Sequence, residues 1–444
     1  MRFDEAGHPL WVFLAQSFLW LTKMEPARAC NLLSAILSAL ALWPAFRIMR
    51  RLGASEAAAS IACLALAVSH TYWLHAVITE VYALNSLIML ALLDLVTRDT
   101  IDDVALFAAG LGCAIGGDNH NLVFLWVPGL AWILFAADRR GGVTRGGLVA
   151  AAAGFALGIA PYVWLRAGTG RVEGVSALAS RLLGLYLSPA GKLADLARFA
   201  GYLLYQFPTL VILVAAVFGV RRLSVRGRDD RGVLTGLALI YLASAGFAFS
   251  YPAQDRFAFF LPSYLVVAIV AAPGLDAILD RAPSRRVAVA AAALVCVVAP
   301  PVLYRLAPLV AGAIPEVHGV RSIPGRDAAL YHLYPGKRGD DGARRYCDAA
   351  FAVLPSRALL VADDTLAEPF DYVQVVERRR TDVEVMYLSP SRQLQVALSK
   401  ARLGRAVFLA ARDTAYYALD DLAKAFEIAP VGPIFELRRK SFTP

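Results

Sequence analysis

The residues whose types and spacing could carry chemistry lie in four short polar segments, each beside a long apolar run. Carboxylates and histidines act as general bases or orient hydroxyl groups, and an arginine can hold a phosphate through two parallel hydrogen bonds. The aromatic rings among them suit stacking on a sugar ring. These candidate residues are Asp4, Glu5, His8, His70, His75, Glu80, Tyr82, Asp118, Asn119, His120, Asp255 and Arg256.

Two of these segments also have a structural explanation. Asp4 and Glu5 could belong to a solvated terminus, because chain ends are commonly poorly ordered. An aromatic belt at a membrane surface explains the Trp and Tyr residues between His70 and Glu80, but it explains Glu80 poorly. His70, His75 and Glu80 follow one another at intervals of five residues. Because that spacing does not align ligands on one face of a helix, it does not indicate a zinc site.

The other two segments leave similar alternatives open. The glycines of the segment Gly116–Asn121 predict a tight turn with unusual backbone dihedrals. Helix capping explains one of its polar side chains but not all of them. Arg256 beside Asp255 predicts either a phosphate contact or an interfacial salt bridge worth about 0–1 kcal/mol.

No familiar catalytic or cofactor signature is present. The sequence contains no GxSxG, HExxH, CxxC, GxGxxG or P-loop motif, so it indicates neither a metal nor a cofactor. The net charge of +9 resides mainly in residues 1–310, which hold 25 basic and 18 acidic residues against 19 and 17 in residues 311–444. Basic loops usually orient a membrane protein, so this charge does not predict a nucleic-acid partner.

The elements that must position these residues are membrane helices. Hydrophobic residues make up 58% of the chain and charged residues 18%, against about 45–50% and about 25% in soluble proteins. A crossing needs about 17–25 mainly apolar residues. Ten runs fit approximately, whereas the segment 9–21 is too short and predicts a helix lying in the membrane interface. The runs are 29–49, 57–76, 79–97, 102–117, 121–137, 147–165, 199–220, 233–250, 257–277 and 287–306.

The turns between these runs alternate in charge, which predicts the orientation. Fifteen arginines lie on one side, and the positive-inside rule makes that side cytoplasmic. The candidate residues then lie on the outer side, together with the N-terminus and the C-terminal region. The arginines are Arg47, Arg50, Arg51, Arg98, Arg139, Arg140, Arg145, Arg221, Arg222, Arg226, Arg228, Arg231, Arg281, Arg285 and Arg286.

Residues 311–444 predict a small α/β domain with a parallel sheet, because strand-like and helix-like segments alternate. The fold class is thus an α-helical polytopic membrane protein with about ten transmembrane helices over residues 1–310. An extracytoplasmic soluble domain over 311–444 follows, and we expect the protein in the inner membrane. The predicted strands are 358–362, 382–388, 406–411 and 434–438, and the predicted helices are 370–380, 392–403 and 416–426.

Several of these segments resemble a bacterial membrane-protein family related to the animal transmembrane protein O-mannosyltransferase and to GT-C glycosyltransferases. The resemblance runs over most of the chain, and its motifs keep the family's order. The matching segments are His8–Leu10, Arg28–Ala35, Ser69–Trp73, Glu80–Leu84, Gly117–His120, Asp255 with Phe259–Ser263, Leu359–Asp364, Tyr372–Gln374 and Arg380–Val383.

The resemblance implies transfer of a sugar from a polyprenyl-phosphate donor to a protein, lipid or glycan acceptor on the outer face. In such enzymes an acidic residue of the first outer loop acts as base or orients the acceptor. That loop normally follows a first transmembrane helix. We therefore expect either that this helix is missing here or that Asp4 and Glu5 replace the acidic motif.

The leading hypothesis is an inverting, metal-independent glycosyltransferase without a cofactor. Asp4 or Glu5 would be the base, and Glu80, His70 and His120 would orient the substrate. Arg256 or the basic residues of the loop 166–198 would hold the donor phosphate. A transporter or lipid flippase and a membrane sensor with a C-terminal receptor domain remain the alternatives.

Overall fold

The structure is a computed structural model of the 444-residue chain, and it describes residues 8–138, 143–167, 192–251, 256–311 and 322–440. The chain forms two compact units, Met1–Ala307 and Pro308–Pro444. The described part of the first unit is helical. The second unit combines helices with a five-stranded sheet.

The helices of the first unit alternate with short connections. A 3₁₀ helix, Asn121–Trp126, precedes α7, and a π-helical turn, Leu294–Val298, joins α14 to α15. The helices are α1 (Pro9–Thr22), α2 (Pro26–Arg51), α3 (Glu56–Ala67), α4 (His70–Val77), α5 (Tyr82–Val96), α6 (Asp103–Asn119), α7 (Val127–Asp138), α8 (Arg145–Ala167), α9 (Lys192–Gln206), α10 (Val211–Val225), α11 (Arg228–Ser250), α12 (Arg256–Phe259), α13 (Leu261–Leu279), α14 (Arg285–Ala293) and α15 (Ala299–Ala311).

The lengths and composition of these helices agree with the predicted multi-pass membrane protein. Four helices in the described ranges are long and apolar enough to cross a membrane, and up to six crossings result if each of two bent helix pairs counts as one. Four shorter apolar helices of 10–17 residues accompany them, so the predicted count of about ten is roughly consistent. The four long helices are Pro26–Arg51, Arg228–Ser250, Leu261–Leu279 and Arg285–Ala311.

Two runs predicted as continuous crossings are broken in the structure. The run 57–76 bends by 63° between α3 and α4, where Ser69 begins the second helix in an extended conformation. The run 199–220 bends by 104° between α9 and α10. Pro208 lies in this break, and Leu210 has a φ of 60°. Proline cannot donate the helical hydrogen bond, which explains why the helix ends there.

Buried ion pairs join several helix ends on the arginine-rich side. Asp94 is 5% exposed and accepts a hydrogen bond from Arg51 at 2.8 Å. Asp276 is 3% exposed, lies 2.5 Å from Ser55 Oγ and pairs with Arg285 at 2.6 Å. A buried carboxylate needs such partners because desolvating an unpaired charge is costly. These contacts bring the ends of α2, α3, α5, α13 and α14 to one side of the unit.

Glycines allow two of the helices to approach closely. A Cβ atom on Gly274 of α13 would overlap the backbone oxygen of Ala215 in α10, and one on Gly219 would overlap the backbone oxygen of Val270. Small residues at such contacts are typical of helix packing in membranes, where association depends on close van der Waals contact.

The second unit contains a mixed sheet with the order β2-β1-β3-β5-β4. The strand β1 pairs in parallel with β2 and β3, with Leu359 opposite Glu384 and Val407. The pairs β3–β5 and β4–β5 are antiparallel. All four residues of β1 are buried, so the core of the unit lies around this strand. The elements are α16 (Ala328–Leu333), α17 (Gly342–Val353), β1 (Leu359–Ala362), α18 (Asp364–Val375), β2 (Glu384–Tyr387), α19 (Pro390–Arg402), β3 (Val407–Leu409), α20 (Leu419–Ala425), β4 (Phe426–Val431) and β5 (Ile434–Arg439).

The expectation of a purely parallel sheet in this unit is wrong. The three strands β1, β2 and β3 are parallel, but β4 was absent from the sequence-based assignment and forms an antiparallel hairpin with β5. Residue Phe426 was expected to end a helix, whereas it begins β4 directly after α20. Pro430 lies within β4, and proline argues against a strand when only the sequence is read.

The α10–α13 contact can be tested by replacing Gly274 with valine. We expect the variant to lose about 1–3 kcal/mol of stability, because the added side chain must push two packed helices apart. Thermal unfolding in detergent measures this loss. Gly201→Ala is the control, since no atom lies within 4 Å of a Cβ built there. Equal unfolding temperatures for Gly274→Val and the wild type would contradict the packing described.

Candidate functional site

Several predicted site residues meet in a chain of ring contacts at the opposite side of the helical unit. The rings of His8 and His120 stack with their centroids 5.3 Å apart and their planes 10° from parallel. His120 lies 5.5 Å from Tyr82, and Tyr82 lies 4.5 Å from His75. Three stretches of the chain that are distant in sequence, around residue 8, residues 75–82 and residue 120, therefore contribute to one place.

Two phenylalanines of α12 extend this chain of contacts to His70. The ring of Phe257 lies 6.5 Å from His75 and 6.2 Å from His70. Phe259 lies 6.1 Å from Tyr82 and 6.3 Å from His120. Tyr205 and Tyr304 complete the group on the far side of His70, at 5.0 and 5.6 Å. We call these nine residues the ring cluster: His8, His70, His75, Tyr82, His120, Tyr205, Phe257, Phe259 and Tyr304.

The start of α1 places His8 against the end of α6. Pro9 is the first residue of α1, so His8 is its N-cap residue. The His8 ring donates a hydrogen bond from Nδ1 to the backbone oxygen of Asn119 at 2.5 Å. Asn119 is fully buried, and its side-chain amide donates to the backbone oxygen of Val81 at 3.2 Å. These bonds connect α1, α6 and the start of α5.

Two residues from distant helices fix the start of α4. The backbone N–H of Thr71 donates to Gln206 Oε1 at 2.7 Å, and Gln206 Nε2 donates to Thr71 Oγ1 at 2.6 Å. The backbone N–H of His70 donates to the hydroxyl of Tyr304 at 3.2 Å. The first N–H groups of a helix have no partner within the helix, and here the side chains of α9 and α15 supply partners for two of them.

The hydrogen bond of His120 determines which of its ring nitrogens carries the proton. Burial, and secondarily the nearby His8, lower the pKa of the His120 imidazole to about 4, so the ring is neutral at pH 7. Its Nδ1 accepts a hydrogen bond from the backbone N–H of Leu122 at 3.1 Å, which leaves the proton on Nε2. His120 can therefore donate to a ligand through Nε2.

The remaining candidates lie beside the ring cluster or outside the described residues. Glu80 is half-buried in the connection between α4 and α5, and Arg256 is half-buried at the start of α12, directly before Phe257. Asp118 lies in the last turn of α6 with Oδ1 buried, and no described residue donates a hydrogen bond to that atom. Asp4, Glu5 and Asp255 lie outside the described residues.

The expectation of a tight glycine turn before His120 is wrong. Gly116 and Gly117 belong to α6, which continues to Asn119, and only His120 is extended, with a φ of −161°. The glycines serve close packing: a Cβ on Gly117 would meet the ring of Phe124, and one on Gly116 would meet Ile88 and Val123.

No group of three or more metal-ligating side chains forms among the residues that the structure describes. The ring cluster instead offers aromatic faces and imidazole nitrogens, and Asp118 near the end of α6 has a buried carboxylate oxygen. Neither ring nitrogen of buried His75 bonds another described residue. Such a combination can bind a hydroxyl-rich ligand through stacking and hydrogen bonds.

Comparison with known proteins identifies the architecture. Residues 5–142 match the family model described as the Protein O-mannosyl-transferase TMEM260 N-terminal domain. The apo crystal structure of ArnT from Cupriavidus metallidurans has a TM-score of 0.57 at 12% identity, over 97% of this chain and 87% of ArnT. The structure of the same ArnT bound to undecaprenyl phosphate has a TM-score of 0.59 at 12% identity, and the match covers 98% of this chain and 88% of ArnT. The chain has the GT-C fold.

The GT-C assignment accounts for the relation to membrane glycosyltransferases that the sequence motifs indicated. Over residues 5–142 the chain is related to the TMEM260 family. That range contains α1 to α7 and holds five members of the ring cluster, His8, His70, His75, Tyr82 and His120. The other members come from α9, α12 and α15.

Sequence reasoning missed the residues that hold the candidate site together. Thr71, Gln206 and Tyr304 were not selected, although each is buried and hydrogen-bonded. A signal was present, because Gln206 ends a mainly apolar helix and Tyr304 lies inside another. A polar group at such a position needs a buried partner.

The role of Gln206 predicts a loss of stability on substitution. Gln206→Leu removes both hydrogen bonds to Thr71 and leaves a buried backbone N–H unpaired. We therefore expect the free energy of unfolding to fall by about 1–3 kcal/mol.

Thermal or denaturant unfolding in detergent measures this change. Gln16→Leu is the matched control, because Gln16 is exposed on α1. If both variants have the same free energy of unfolding as the wild type, the contact between Gln206 and Thr71 does not stabilise α4.

Proposed function

We propose that this GT-C protein transfers a sugar from a polyprenyl-phosphate-linked donor to an acceptor hydroxyl on the outer face of the membrane. The observation that carries the proposal is the ring cluster. It brings four histidines and five other aromatic rings to the side of the helical unit opposite the buried ion pairs of Asp94 and Asp276. Glu80 lies two residues before Tyr82 in the chain, and Arg256 lies directly before Phe257.

The proposed reaction exchanges one bond for another at the anomeric carbon of the sugar. The acceptor oxygen attacks this carbon while the bond to the lipid phosphate breaks, which inverts the configuration. The acceptor proton passes to a base, and polyprenyl phosphate leaves as the anion. A positioned base and groups that stabilise the developing negative charge supply the main catalytic contributions to such a step.

Six of the twelve candidate residues have named roles in this proposal. Asp4 or Glu5 is the base, as the family resemblance implies. Arg256 holds the departing phosphate, because a guanidinium binds phosphate through a fork of donors. His120 donates from Nε2 to a sugar or acceptor hydroxyl, and Glu80 orients the same group. The faces of Tyr82 and the neighbouring rings pack against the sugar.

The donor class has support from two directions. An isoprenoid tail keeps the donor within the bilayer, and a multi-pass protein with a polar site at one side can reach the phosphate there. The ArnT of Cupriavidus metallidurans was crystallised with undecaprenyl phosphate. We propose that this chain also uses a polyprenyl-phosphate carrier. We further propose that the site and the C-terminal unit lie on the extracytoplasmic side of the inner membrane.

Transfer from a defined donor is the direct test. The full chain, reconstituted in vesicles, is given synthetic polyprenyl-phosphate hexoses and a mixture of peptide, lipid and glycan acceptors. We expect glycosylated product by mass spectrometry, unaffected by a chelator. Glu80→Gln and His120→Ala should each lower the rate by about 10²-fold or more, the usual contribution of a positioned proton donor or acceptor.

Glu56→Gln is the control for Glu80→Gln. Glu56 begins α3 on the arginine-rich side with its side chain 81% exposed, so this variant should transfer at the wild-type rate. Unchanged transfer in the Glu80 and His120 variants would refute their roles. Movement of the intact donor lipid across the bilayer, without product, would favour a flippase.

A further inference from the structure

A second binding feature lies between three helices that contribute little to the ring cluster. The helices α10, α11 and α13 border a cavity of about 300 Å³. This volume is at the lower end of the range of about 300–1,000 Å³ that is usual for small-molecule pockets. Of its ten lining residues, only Tyr241 carries a polar side-chain atom. A water-soluble ligand would find almost no hydrogen-bonding partner there.

The cavity opens toward the surface that a multi-pass protein presents to lipid. Its lining residues Leu242 and Val220 are 65% and 45% exposed, whereas Leu237 and Val266 on its inner side are buried. Both exposed residues lie in helices that the structure leaves partly uncovered. The cavity is therefore accessible from the hydrocarbon region without passage through the protein.

Two of the lining residues, Val220 and Leu234, lie close in the chain to the basic connection between α10 and α11. In α10, Arg221 directly follows the lining residue Val220. In α11, Arg231 precedes the lining residue Leu234 by three residues, which places Arg231 and Leu234 on one face of the helix. Residues 221–231 contain five arginines and two aspartates, so the connection carries a net charge of +3.

The arginines of this connection divide into two groups. Arg222 donates to the backbone oxygen of Pro273 at 3.2 Å, and Arg226 donates to that of Leu52 at 2.8 Å, so both fasten helices together. Arg221, Arg228 and Arg231 are exposed instead. A cluster of exposed cations close in the chain to the lining of a membrane-facing apolar cavity complements an anionic lipid headgroup above its own chain.

We infer that this cavity binds an acidic glycerophospholipid of the surrounding membrane. One acyl chain occupies the space between α10, α11 and α13, and the phosphate lies against Arg221 and Arg231. A neutral lipid would fill the cavity without using the cations. The polyprenyl donor of the proposed reaction approaches the other side of the helical unit, where the ring cluster lies.

Lipid binding to the delipidated full chain tests this inference. Native mass spectrometry in a neutral detergent measures binding of phosphatidylglycerol and phosphatidylcholine with the same acyl chains. We expect a clear preference for phosphatidylglycerol. Arg221→Gln and Arg231→Gln should each weaken its binding about fivefold, the usual effect of one basic residue at an anionic lipid surface, and Arg231→Lys should retain it.

A second variant tests the cavity independently of charge. Ala238 lines the cavity and is exposed, so Ala238→Phe should fill the space without disturbing the core and weaken phosphatidylglycerol binding at least fivefold. The matched controls are Ala152→Phe and Arg145→Gln, which change exposed residues of α8. Unfolding temperatures close to that of the wild type verify that all variants fold.

Three results would overturn the inference. Equal binding of the two phospholipids would remove the role of the arginines. Unchanged phosphatidylglycerol binding by Ala238→Phe would place the lipid elsewhere. Displacement of phosphatidylglycerol by equimolar undecaprenyl phosphate, abolished in Ala238→Phe, would assign the cavity to an isoprenoid chain instead.

Discussion

Gln206 and Tyr304 provide the hydrogen bonds on which the geometry of the candidate site depends. The helix α4 has eight residues, and its N-cap Ser69 makes no side-chain capping bond. A helix this short is marginal by itself, so its position must come from tertiary contacts. Side chains of α9 and α15 accept its first two N–H groups, and these contacts fix the directions of His70 and His75. The geometry of the site therefore depends on the packing of several helices and not on a single sequence motif.

A polar group removed from water needs hydrogen-bonding partners. The two sides of the helical unit differ in how far this requirement is met within the protein. On one side Asp94 and Asp276 are satisfied by Arg51, Arg285 and Ser55. These pairs join the helix ends on that side. On the other side the imidazoles lie among aromatic rings, and a buried carboxylate oxygen of Asp118 accepts no hydrogen bond from a described residue. That side retains hydrogen-bonding capacity for a ligand, which is why the proposed chemistry belongs there.

Much of the fold could be predicted from hydropathy alone. Long apolar runs must form helices in a membrane because their backbone groups have no other partners there. The helix Pro9–Thr22 and the strand Leu359–Ala362 also followed from local patterns. The bends at Ser69 and Pro208 did not, because the apolar runs on both sides of each short polar stretch together have the length of one continuous crossing. The strand β4 was missed because its sequence contains Pro430 and lacks a clear alternation of apolar and polar residues.

The site was predicted in its residue types but not in its construction. His8, His70, His75, Tyr82 and His120 stood out because polar residues at the ends of apolar helices need a reason. Their mutual contacts, and the contributions of Tyr205, Phe257 and Phe259, depend on how distant helices pack, which residue spacing does not encode. The roles of Gly116 and Gly117 were misread for the same reason, since only the packed structure shows that Phe124 and Val123 occupy the space beside them.

A structure of the full chain with a non-transferable polyprenyl-phosphonate sugar tests the central claim most directly. We expect the sugar to bind against the ring cluster, with a hydroxyl within hydrogen-bonding distance of His120 Nε2 and the phosphonate near Arg256. A sugar bound beside Asp94 and Asp276, or away from both sides of the helical unit, would contradict it.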